Sequence, residues 1–198
     1  MAKLSISKLS FLQFGPFDLT VQPNECVVIS GPSGAGKSLL LRAIADLDPQ
    51  QGIISLDGKN NFLFSPIEWR KKVGLLPAES EWWYETVGEH FRHIESTWFT
   101  QLGFDPAIAK RAINGLSTGE RQRLALLRLL TNKPAILLLD EATANLDSEN
   151  TQRMEALISA YKQQQQAAII WVSHDIQQIA RIADKHFMLR NNSLTQVS

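Results

Sequence analysis

Residues 31–38 have the sequence Gly31-Pro32-Ser33-Gly34-Ala35-Gly36-Lys37-Ser38, which is the most informative motif of the chain. It follows an apolar run at residues 27–29 and precedes leucines and alanines at helical spacing, an order that predicts a strand, a loop and a helix. The glycines permit backbone torsions that a side chain would forbid. Consecutive N–H groups of such a loop converge on phosphate oxygens at the positive end of the helix. The stretch therefore predicts a site for nucleotide phosphates.

Two side chains at the end of this loop have separate predicted roles. Lys37 is predicted to reach the β- and γ-phosphates, and Ser38 to offer its hydroxyl oxygen to Mg²⁺. The loop by itself does not separate kinases, GTPases, helicases and transport ATPases, so the class of protein depends on the rest of the chain.

A pair of carboxylates forms the second half of the predicted site. The apolar residues 135–139 lead directly into Asp140 and Glu141. A fully apolar strand is typical of a sheet buried on both faces, and ligands bind at its carboxyl end. We predict that Asp140 holds Mg²⁺, directly or through water, and that Glu141 polarises the attacking water. The alternative is an acidic pair that only caps the following helix.

The wider pattern predicts an α/β fold of the P-loop NTPase kind. Apolar strands at residues 26–29, 73–76, 135–139 and 168–172 alternate with helices at 37–47, 120–130, 148–161 and 175–183. This order favours a mainly parallel sheet covered on both faces. Short strands and turns within residues 3–30 predict an N-terminal antiparallel β-subdomain. Residues 79–113 are aromatic-rich and helical in spacing, so we expect one domain, 1–198, with an inserted small helical subdomain at about 79–115.

The composition of the chain limits the kinds of partner that we expect. Lysine and arginine total 20 and aspartate and glutamate total 20, so the net charge is zero and no nucleic-acid partner is expected. The single cysteine, Cys26, lies in an apolar run and is predicted to be a small buried hydrophobe. There is no signal-peptide pattern, and no apolar run approaches the roughly 20 residues of a membrane span. We expect a cytoplasmic protein that meets the membrane through a partner.

Residues 116–120 carry the first family resemblance. They read Leu116-Ser117-Thr118-Gly119-Glu120, which is similar to the signature of the ABC ATPase family. Ala144-Asn145-Leu146-Asp147 resembles the D-loop of that family, and Val172-Ser173-His174-Asp175 resembles its switch-histidine segment. Each motif is weak alone, but together with the phosphate loop they stand in the family's order. The resemblance runs essentially from end to end.

The resemblance implies a site shared between two chains. In the family, two ATP molecules are sandwiched head to tail, so Ser117, Gly119 and Glu120 would face the γ-phosphate bound by the other protomer. Ser117 also fits a plain N-cap with Glu120 completing a capping box, and both interpretations hold together. Asn145 and Asp147 would contact the opposite protomer. His174 would bond the γ-phosphate and the attacking water, with orientation as a sufficient role.

Two positions depart from the family pattern. Ala78 stands where relatives carry a glutamine that senses the transmembrane partner, so either Glu79 or Glu81 substitutes or the coupling is altered. Thr118 replaces the first signature glycine, which would weaken engagement of the second site at most.

Two aromatic assignments stay open. The family's adenine-stacking aromatic fits Phe14, with Phe11 as a rival, and either side chain can belong to the core. Residues 82–84, Trp82-Trp83-Tyr84, either pack the helical subdomain or line a groove for a membrane subunit.

The resemblance implies a nucleotide-binding subunit of an ABC transporter. It would bind ATP and Mg²⁺, pair with an identical or paralogous ATPase, and drive an integral membrane permease subunit from the cytoplasmic face. One alternative is an ABC ATPase outside transport, in Fe–S assembly or DNA maintenance. Another is an ATP-dependent switch of low turnover, which Ala78 alone supports and which Glu141 and His174 oppose.

Overall fold

A computed structural model describes residues 2–91 and 96–197. Within these ranges ten strands are present: β1 (Leu4–Phe11), β2 (Phe14–Val21), β3 (Cys26–Ser30), β4 (Gln51–Leu56), β5 (Lys59–Asn60), β6 (Val73–Leu76), β7 (Ile136–Asp140), β8 (Ala168–Val172), β9 (Lys185–Arg190) and β10 (Ser193–Gln196). The α-helices of the same ranges are α1 (Lys37–Ile44), α2 (Pro66–Lys72), α3 (Ser96–Gln101), α4 (Thr118–Leu130), α5 (Ser148–Gln165) and α6 (Ile176–Ile182).

The strands form two sheets. An antiparallel sheet has the order β2-β1-β4-β5, and a six-stranded sheet has the order β10-β9-β3-β8-β7-β6. In the larger sheet β9, β3, β8, β7 and β6 run parallel, and only β10 pairs antiparallel. The predicted fold class, a mainly parallel sheet with an N-terminal antiparallel sheet, is confirmed.

The large sheet is buried on both faces, which explains its apolar strands. Every residue of β3, β7 and β8 is buried. Alternate side chains enter two different cores: Val28 and Leu139 join the core beneath α4 and α5, whereas Ile29 and Leu138 join the core around α1 and the antiparallel sheet. Cys26 is 3% exposed, as predicted, and burial raises the pKa of its thiol to about 12.

The order of the large sheet positions the candidate site. Because β3, β8 and β7 are neighbours and run parallel, the loops that follow them begin at the same edge of the sheet. These loops are residues 31–36, 141–147 and 173–175, which hold the motifs singled out in the sequence. The loop after β6, at residues 77–81, starts at the same edge beside β7.

Several element boundaries differ from those expected. The predicted helix 37–47 ends at Ile44, and the predicted helix 148–161 continues as α5 to Gln165. Strands β9 and β10 and helix α2 were not predicted, because each is short and only partly apolar.

The region predicted as a helical subdomain is less helical than its spacing suggested. Residues 79–87 are not helical, and regular structure after them consists of α3 and three short 3-10 helices, Gly88–His90, Pro106–Lys110 and Ile113–Gly115. Residues 92–95 of this region lie outside the described residues. Phe99, Leu102 and Ile108 pack into the core that contains α4 and α5.

Over residues 2–91 and 96–197, none of the helices combines the length and the hydropathy that crossing a bilayer requires.

Candidate functional site

The three loops at the edge of the large sheet enclose a cleft of about 450 Å³. Its lining among the described residues is Gly31, Ser33, Gly34, Gly36, Lys37, Ser38, Leu39, Glu141 and His174. The sequence motifs after β3, β7 and β8 thus contribute side chains to one space.

The phosphate loop has the backbone that its glycines predicted. Gly36 is the N-cap of α1 with φ of 95°, a left-handed conformation that L side chains rarely adopt. Within the described part of the chain, no side chain caps this helix and no acidic residue occupies its first turn. Gly31 lies so close to β9 that an added Cβ would collide with the carbonyl oxygen of Leu189. The start of α1 therefore keeps N–H groups that are available to an anion.

The remaining loop residues support this geometry. Ala35 donates its N–H to the carbonyl of Pro32 over 3.3 Å and packs against the core around α1. Ser33 and Gly34 line the cleft, whereas Pro32 and Ala35 are not among its lining residues.

Lys37 folds back over its own loop. Its Nζ donates to the carbonyl oxygens of Gly31 at 2.8 Å and Pro32 at 2.9 Å. The ammonium group therefore lies at the mouth of the phosphate loop, where a phosphate oxygen would take the place of these carbonyl partners.

Asp140 and Ser38 form a pair of oxygen groups beside the cleft. The Ser38 hydroxyl lies beside the Asp140 carboxylate, which is 8% exposed at the end of β7. Burial raises the pKa of the Asp140 carboxyl above its usual value, and the nearby Glu141 charge adds to this, while Ser38 and Lys37 oppose it. A buried carboxylate of this kind gains from a cation.

This pair fits Mg²⁺ by its donor chemistry. Mg²⁺ prefers oxygen ligands and is usually bound by one or two protein groups together with phosphates and water. In residues 2–91 and 96–197 no group of three or more His, Cys, Asp or Glu side chains forms a cage for a metal ion. Ser38 and Asp140 therefore fit a Mg²⁺ ion that is bound by two protein oxygen groups together with phosphates and water.

Glu141 and His174 face each other across the cleft. Glu141 has φ of 47°, which is uncommon for a residue with a side chain, and its N–H donates to the carbonyl of Val172 over 3.1 Å. This turn leaves its carboxylate 36% exposed, with Oε1 lying 3.7 Å from Nδ1 of His174. The imidazole is 69% exposed. Both side chains are open to a ligand in the cleft.

The signature residues lie away from this cleft, at the start of α4. Ser117 is the N-cap: its Oγ accepts from the Glu120 N–H at 3.1 Å, and its own N–H donates to Glu120 Oε2 at 2.8 Å. The capping box expected from the sequence is present. Arg111 donates to Glu120 Oε1 at 2.7 Å. Burial works against ionisation of Glu120, but the hydrogen bonds from Ser117 and Arg111 outweigh it and hold the pKa of this carboxyl below its usual range.

Gly119 links the signature to the D-loop. A Cβ added at Gly119 would lie 2.9 Å from Cδ2 of Leu146 and 3.3 Å from the carbonyl oxygen of Asn145. Asp147 is the N-cap of α5 and accepts from the Asn150 N–H at 2.8 Å. The D-loop is thus held between α4 and α5.

Phe14 lies against the phosphate loop and Phe11 does not. The nearest atoms to a Cβ built on Gly36 belong to the Phe14 ring, at 3.0 Å. Phe14 is partly buried, whereas Phe11 is 4% exposed within the core. Of the two rivals, Phe14 is the one that lies next to the loop at residues 31–38.

The loop after β6 contributes none of its described residues to the lining of the cleft. Ala78, Glu79 and Glu81 are exposed. The loop is instead tied to α4 by Gln122, which is 5% exposed, donates to the carbonyl of Pro77 at 2.9 Å and accepts from Ser80 Oγ at 3.3 Å. Neither acidic side chain takes the place of a glutamine in the cleft.

The rings of Trp82, Trp83 and Tyr84 surround the imidazole of His90 and form an aromatic cluster. The Nε2 atom of His90 accepts from the backbone N–H groups of Trp83 at 3.1 Å and Tyr84 at 3.0 Å. The Arg128 guanidinium lies 4.4 Å above the Trp82 ring and 4.6 Å above the Trp83 ring. Trp83 is 63% exposed and Tyr84 is 51% exposed, so the cluster packs internally and also presents an aromatic surface.

Some polar groups near the cleft were missed by sequence reasoning. Ser30 Oγ lies 2.7 Å from Nε2 of His186, and the buried Gln178 joins the loops after β7 and β8. The Ser30–His186 and Gln178–Thr143 pairs are 156 and 35 residues apart in sequence, so no local pattern signals them.

Comparison with known proteins gives one family. The family model described as "ABC transporter" matches residues 14–144. The chain is 35% identical over 194 residues to "Protein STAR1" of Oryza sativa subsp. japonica, covering 91% of the chain and 56% of that protein. It is 33% identical over 184 residues to "ABC transporter I family member 17" of Arabidopsis thaliana, covering 86% of the chain and 70% of the relative.

A bacterial relative and a solved structure are also similar to this chain. The chain is 33% identical over 201 residues to "Thiamine import ATP-binding protein ThiQ" of Escherichia coli (strain K12), covering 90% of the chain and 82% of that protein. The structure of a bacterial Atm1-family ABC exporter with ATP bound has the same fold, with a TM-score of 0.86 and 24% identity over 98% of the chain and 38% of the exporter. The chain thus spans about half of the rice protein and less than half of the exporter chain.

Proposed function

Since the chain belongs to the ABC transporter family, we propose that it binds and hydrolyses ATP to power the movement of a substrate by a partner membrane subunit. ATP-binding domains of this family are ATPases. The observation that carries the proposal is the single cleft shared by the phosphate loop, Glu141 and His174. We further propose that residues 1–198 act as one nucleotide-binding domain, with the helical subdomain at about 79–115.

ATP binding falls to the loop between β3 and α1. The uncapped start of α1 and the N–H groups of residues 31–38 receive the β- and γ-phosphates. Lys37 exchanges the carbonyls of Gly31 and Pro32 for phosphate oxygens, so its charge moves from the loop to the nucleotide. Phe14, which lies against Gly36, stacks on the adenine.

Ser38 and Asp140 hold Mg²⁺ in this proposal. When bound, Mg²⁺ neutralises charge on the phosphates and orients them. The hydroxyl oxygen of Ser38 would be a ligand of the ion, and the buried carboxylate of Asp140 would gain the positive partner that its surroundings do not fully supply.

Glu141 and His174 act on the attacking water. The Glu141 carboxylate accepts a hydrogen bond from the water and polarises it toward the γ-phosphate. His174, on the opposite wall, orients the water and the γ-phosphate through its imidazole. Their separation of 3.7 Å closes one side of the space where the water would lie.

A second copy of the chain, or a paralogous ATPase, completes the site. Ser117 and Gly119 lie at the start of α4 and do not line the cleft of their own chain, so their donors serve the γ-phosphate of the other protomer. Glu120 takes part by holding the Ser117 backbone through the capping box. Asn145 and Asp147, next to Gly119, contact that protomer too. Two ATP molecules are then enclosed between two chains.

The membrane partner is an integral permease subunit, and the chain lies on the cytoplasmic face through it. The exposed rings of Trp83 and Tyr84, with Arg128 behind them, supply the aromatic anchors of that contact. Because Ala78 lacks a side chain that reaches the cleft, we propose that coupling runs through the Gln122 contacts with the loop after β6 rather than through a glutamine in that loop.

Replacement of Glu141 tests the catalytic assignment. For Glu141→Gln we expect ATP turnover to fall by about 10²- to 10³-fold because the general base is lost, with nucleotide affinity nearly unchanged. Turnover and ATP binding are measured separately on the purified chain. Glu149→Gln is the matched control, since that carboxylate is 73% exposed on α5 and only pairs with Arg153.

The same variant distinguishes the rival functions. Equal turnover in the wild type and Glu141→Gln contradicts the catalytic role and favours a switch of low turnover. The dimer that encloses two ATP molecules is tested by sedimentation of Glu141→Gln with ATP and Mg²⁺. A dimer is expected, and a monomer at all protein concentrations contradicts the proposed dimer. Copurification of a membrane subunit tests the transport role.

A further inference from the structure

Gln178 is a buried polar side chain between the two loops that carry Glu141 and His174. It is 2% exposed and lies on α6. Its Oε1 accepts from Ser173 Oγ at 2.8 Å, and its Nε2 donates to Thr143 Oγ1 at 2.8 Å and to Glu155 Oε1 at 2.9 Å. Each hydrogen of the amide and its oxygen therefore has a partner.

The partners fix the orientation of the amide. Glu155 is an acceptor when ionised, so the NH₂ group must face it and the carbonyl oxygen must face Ser173. Glu155 is itself held by Arg181, at 2.9 Å, and its side chain is 11% exposed. The amide thus has one arrangement, anchored on α5.

The loop after β8 is held on both sides of His174. Ser173 Oγ donates to Gln178 and accepts from the Asp175 N–H at 3.2 Å. The Asp175 carboxylate accepts from the N–H groups of Gln177 at 2.8 Å and Gln178 at 3.2 Å. The imidazole is exposed, and the backbone on each side of it is held by these hydrogen bonds.

The loop after β7 is held by the same amide. Thr143, which is 9% exposed, lies two residues after Glu141, and its hydroxyl accepts from Gln178. The carbonyl of Glu141 accepts from the Ala144 N–H at 3.0 Å, so the turn around Thr143 also sets the direction of the Glu141 backbone.

We propose that Gln178 is a positioning residue that holds the loops of Glu141 and His174 at the separation that catalysis needs. This inference rests on the proposed roles of those two residues. Gln178 does not line the phosphate cleft, so it acts on the chemical step and not on ATP binding. A displacement of a reacting group by about 1 Å is enough to reduce a rate by up to roughly 10²-fold.

Gln178→Glu breaks the arrangement with little change in volume. A carboxylate at this position has no hydrogen to donate to Thr143 and places a second negative charge beside Glu155. We expect kcat for ATP hydrolysis to fall by roughly 10- to 100-fold, while the KM and the Kd for ATP stay within about threefold of the wild type. Gln177→Glu is the matched control, because it makes the same change at the exposed neighbouring position.

Exchanging the two groups should restore the network. In Gln178→Glu/Glu155→Gln the amide and the carboxylate change places. The amide on α5 then donates to the carboxylate on α6, and the Ser173 and Thr143 hydroxyls both donate to that carboxylate. We expect kcat to return to within about threefold of the wild type. Such a rescue is not expected if Gln178 only fills space.

The outcomes separate this inference from the proposed function. Absence of ATP turnover in the wild type overturns the proposed function. If the wild type hydrolyses ATP, three results overturn the positioning role. The first is a kcat in Gln178→Glu equal to that of the wild type, and the second is a loss of ATP affinity in Gln178→Glu as large as its loss of kcat. The third is the absence of rescue in the double variant. If Gln178→Glu does not fold, Thr143→Val removes one bond of the network at constant shape. A kcat reduced about three- to tenfold at unchanged KM then supports the role, and a wild-type kcat rejects it.

Discussion

Two helices of this chain begin with a glycine-rich or signature motif, and their first turns are built in opposite ways. Helix α1 starts at Gly36, without a capping side chain and without an acid in its first turn. Helix α4 starts at Ser117, with a complete capping box and the Glu120 carboxylate in its first turn. At α1 no side chain of the described residues caps the first N–H groups, whereas at α4 the Ser117 hydroxyl accepts from the Glu120 N–H.

The nearby carboxylates follow the same division. Beside α1, burial raises the pKa of Asp140, and this acid is stabilised poorly until a cation arrives. At α4 hydrogen bonds lower the pKa of Glu120, which is satisfied within the chain. Helix α1 thus has an uncapped start beside a poorly stabilised carboxylate, which supports the proposed binding of phosphates with their cation, whereas the start of α4 is stabilised within the chain.

The greatest loss of ATP affinity is expected from closing the open helix start. In Gly36→Ala the added Cβ meets the Phe14 ring and the residue must keep φ of 95°, so the loop is expected to distort. We expect ATP affinity to fall roughly 10- to 100-fold, equivalent to about 1.4–2.8 kcal/mol. Titration calorimetry on the isolated chain measures it.

Gly119→Ala makes the same change at α4. Its Cβ meets the end of the Leu146 side chain, which can shift, so the isolated chain should bind ATP as the wild type does. Gly115→Ala, whose Cβ would have no described neighbour within 4 Å, is the control. Equal ATP affinities for Gly36→Ala and the wild type would contradict the proposed difference between the starts of α1 and α4.

The second effect concerns the acid beside α1. A carboxyl whose pKa is higher in the folded chain than in the unfolded chain reduces stability as the pH rises through these values. At neutral pH the ionised Asp140 therefore destabilises the fold. For Asp140→Asn we expect a melting temperature higher by roughly 2–4 °C, the change that about 1 kcal/mol produces in a chain of this size.

Asp140→Asn also separates stability from activity. Without the carboxylate we expect ATP turnover to fall by about 100-fold or more. The gain in melting temperature should shrink as the pH is lowered toward the acidic range, where the wild-type carboxyl is protonated. A variant less stable than the wild type at neutral pH contradicts the argument.

The smallest effect concerns the acid at α4. Because the pKa of Glu120 is lowered in the folded chain, its stabilising contribution is complete above the unfolded value and is lost as the pH falls through the folded value. Glu120→Gln keeps part of the capping box and should lower the melting temperature by about 1–3 °C at neutral pH. In thermal scans at acidic pH the difference in melting temperature between Glu120→Gln and the wild type should disappear. A difference that does not change with pH would contradict a stabilising role of the Glu120 charge.

Local patterns carried most of what was predicted from sequence. The loop at residues 31–38 and the capping box of Ser117 and Glu120 depend on residues close in the chain, so spacing and composition were sufficient. The buried strands were predicted because a sheet covered on both faces needs unbroken apolar runs. Strands β9 and β10 were missed because their exposed residues interrupt such runs.

Long-range polar contacts were beyond sequence reasoning. Gln178 and Thr143 are 35 residues apart, and Gln122 and Pro77 are 45 apart, so only the packed sheet brings them together. The roles of Ser117 and Gly119 toward a second chain stay predictions, because they depend on contacts between two molecules.

The burial of Cys26 has a practical consequence. Its thiol lies inside the large sheet, with a pKa raised to about 12, and it is the only cysteine in the sequence. Thiol-reactive dyes and spin labels react with the thiolate, so they will leave the native protein unmodified at neutral pH. A cysteine introduced at the exposed Gln164 on α5 would then be the single labelled position. Distances between two such labels, with and without ATP, would show directly whether two chains come together.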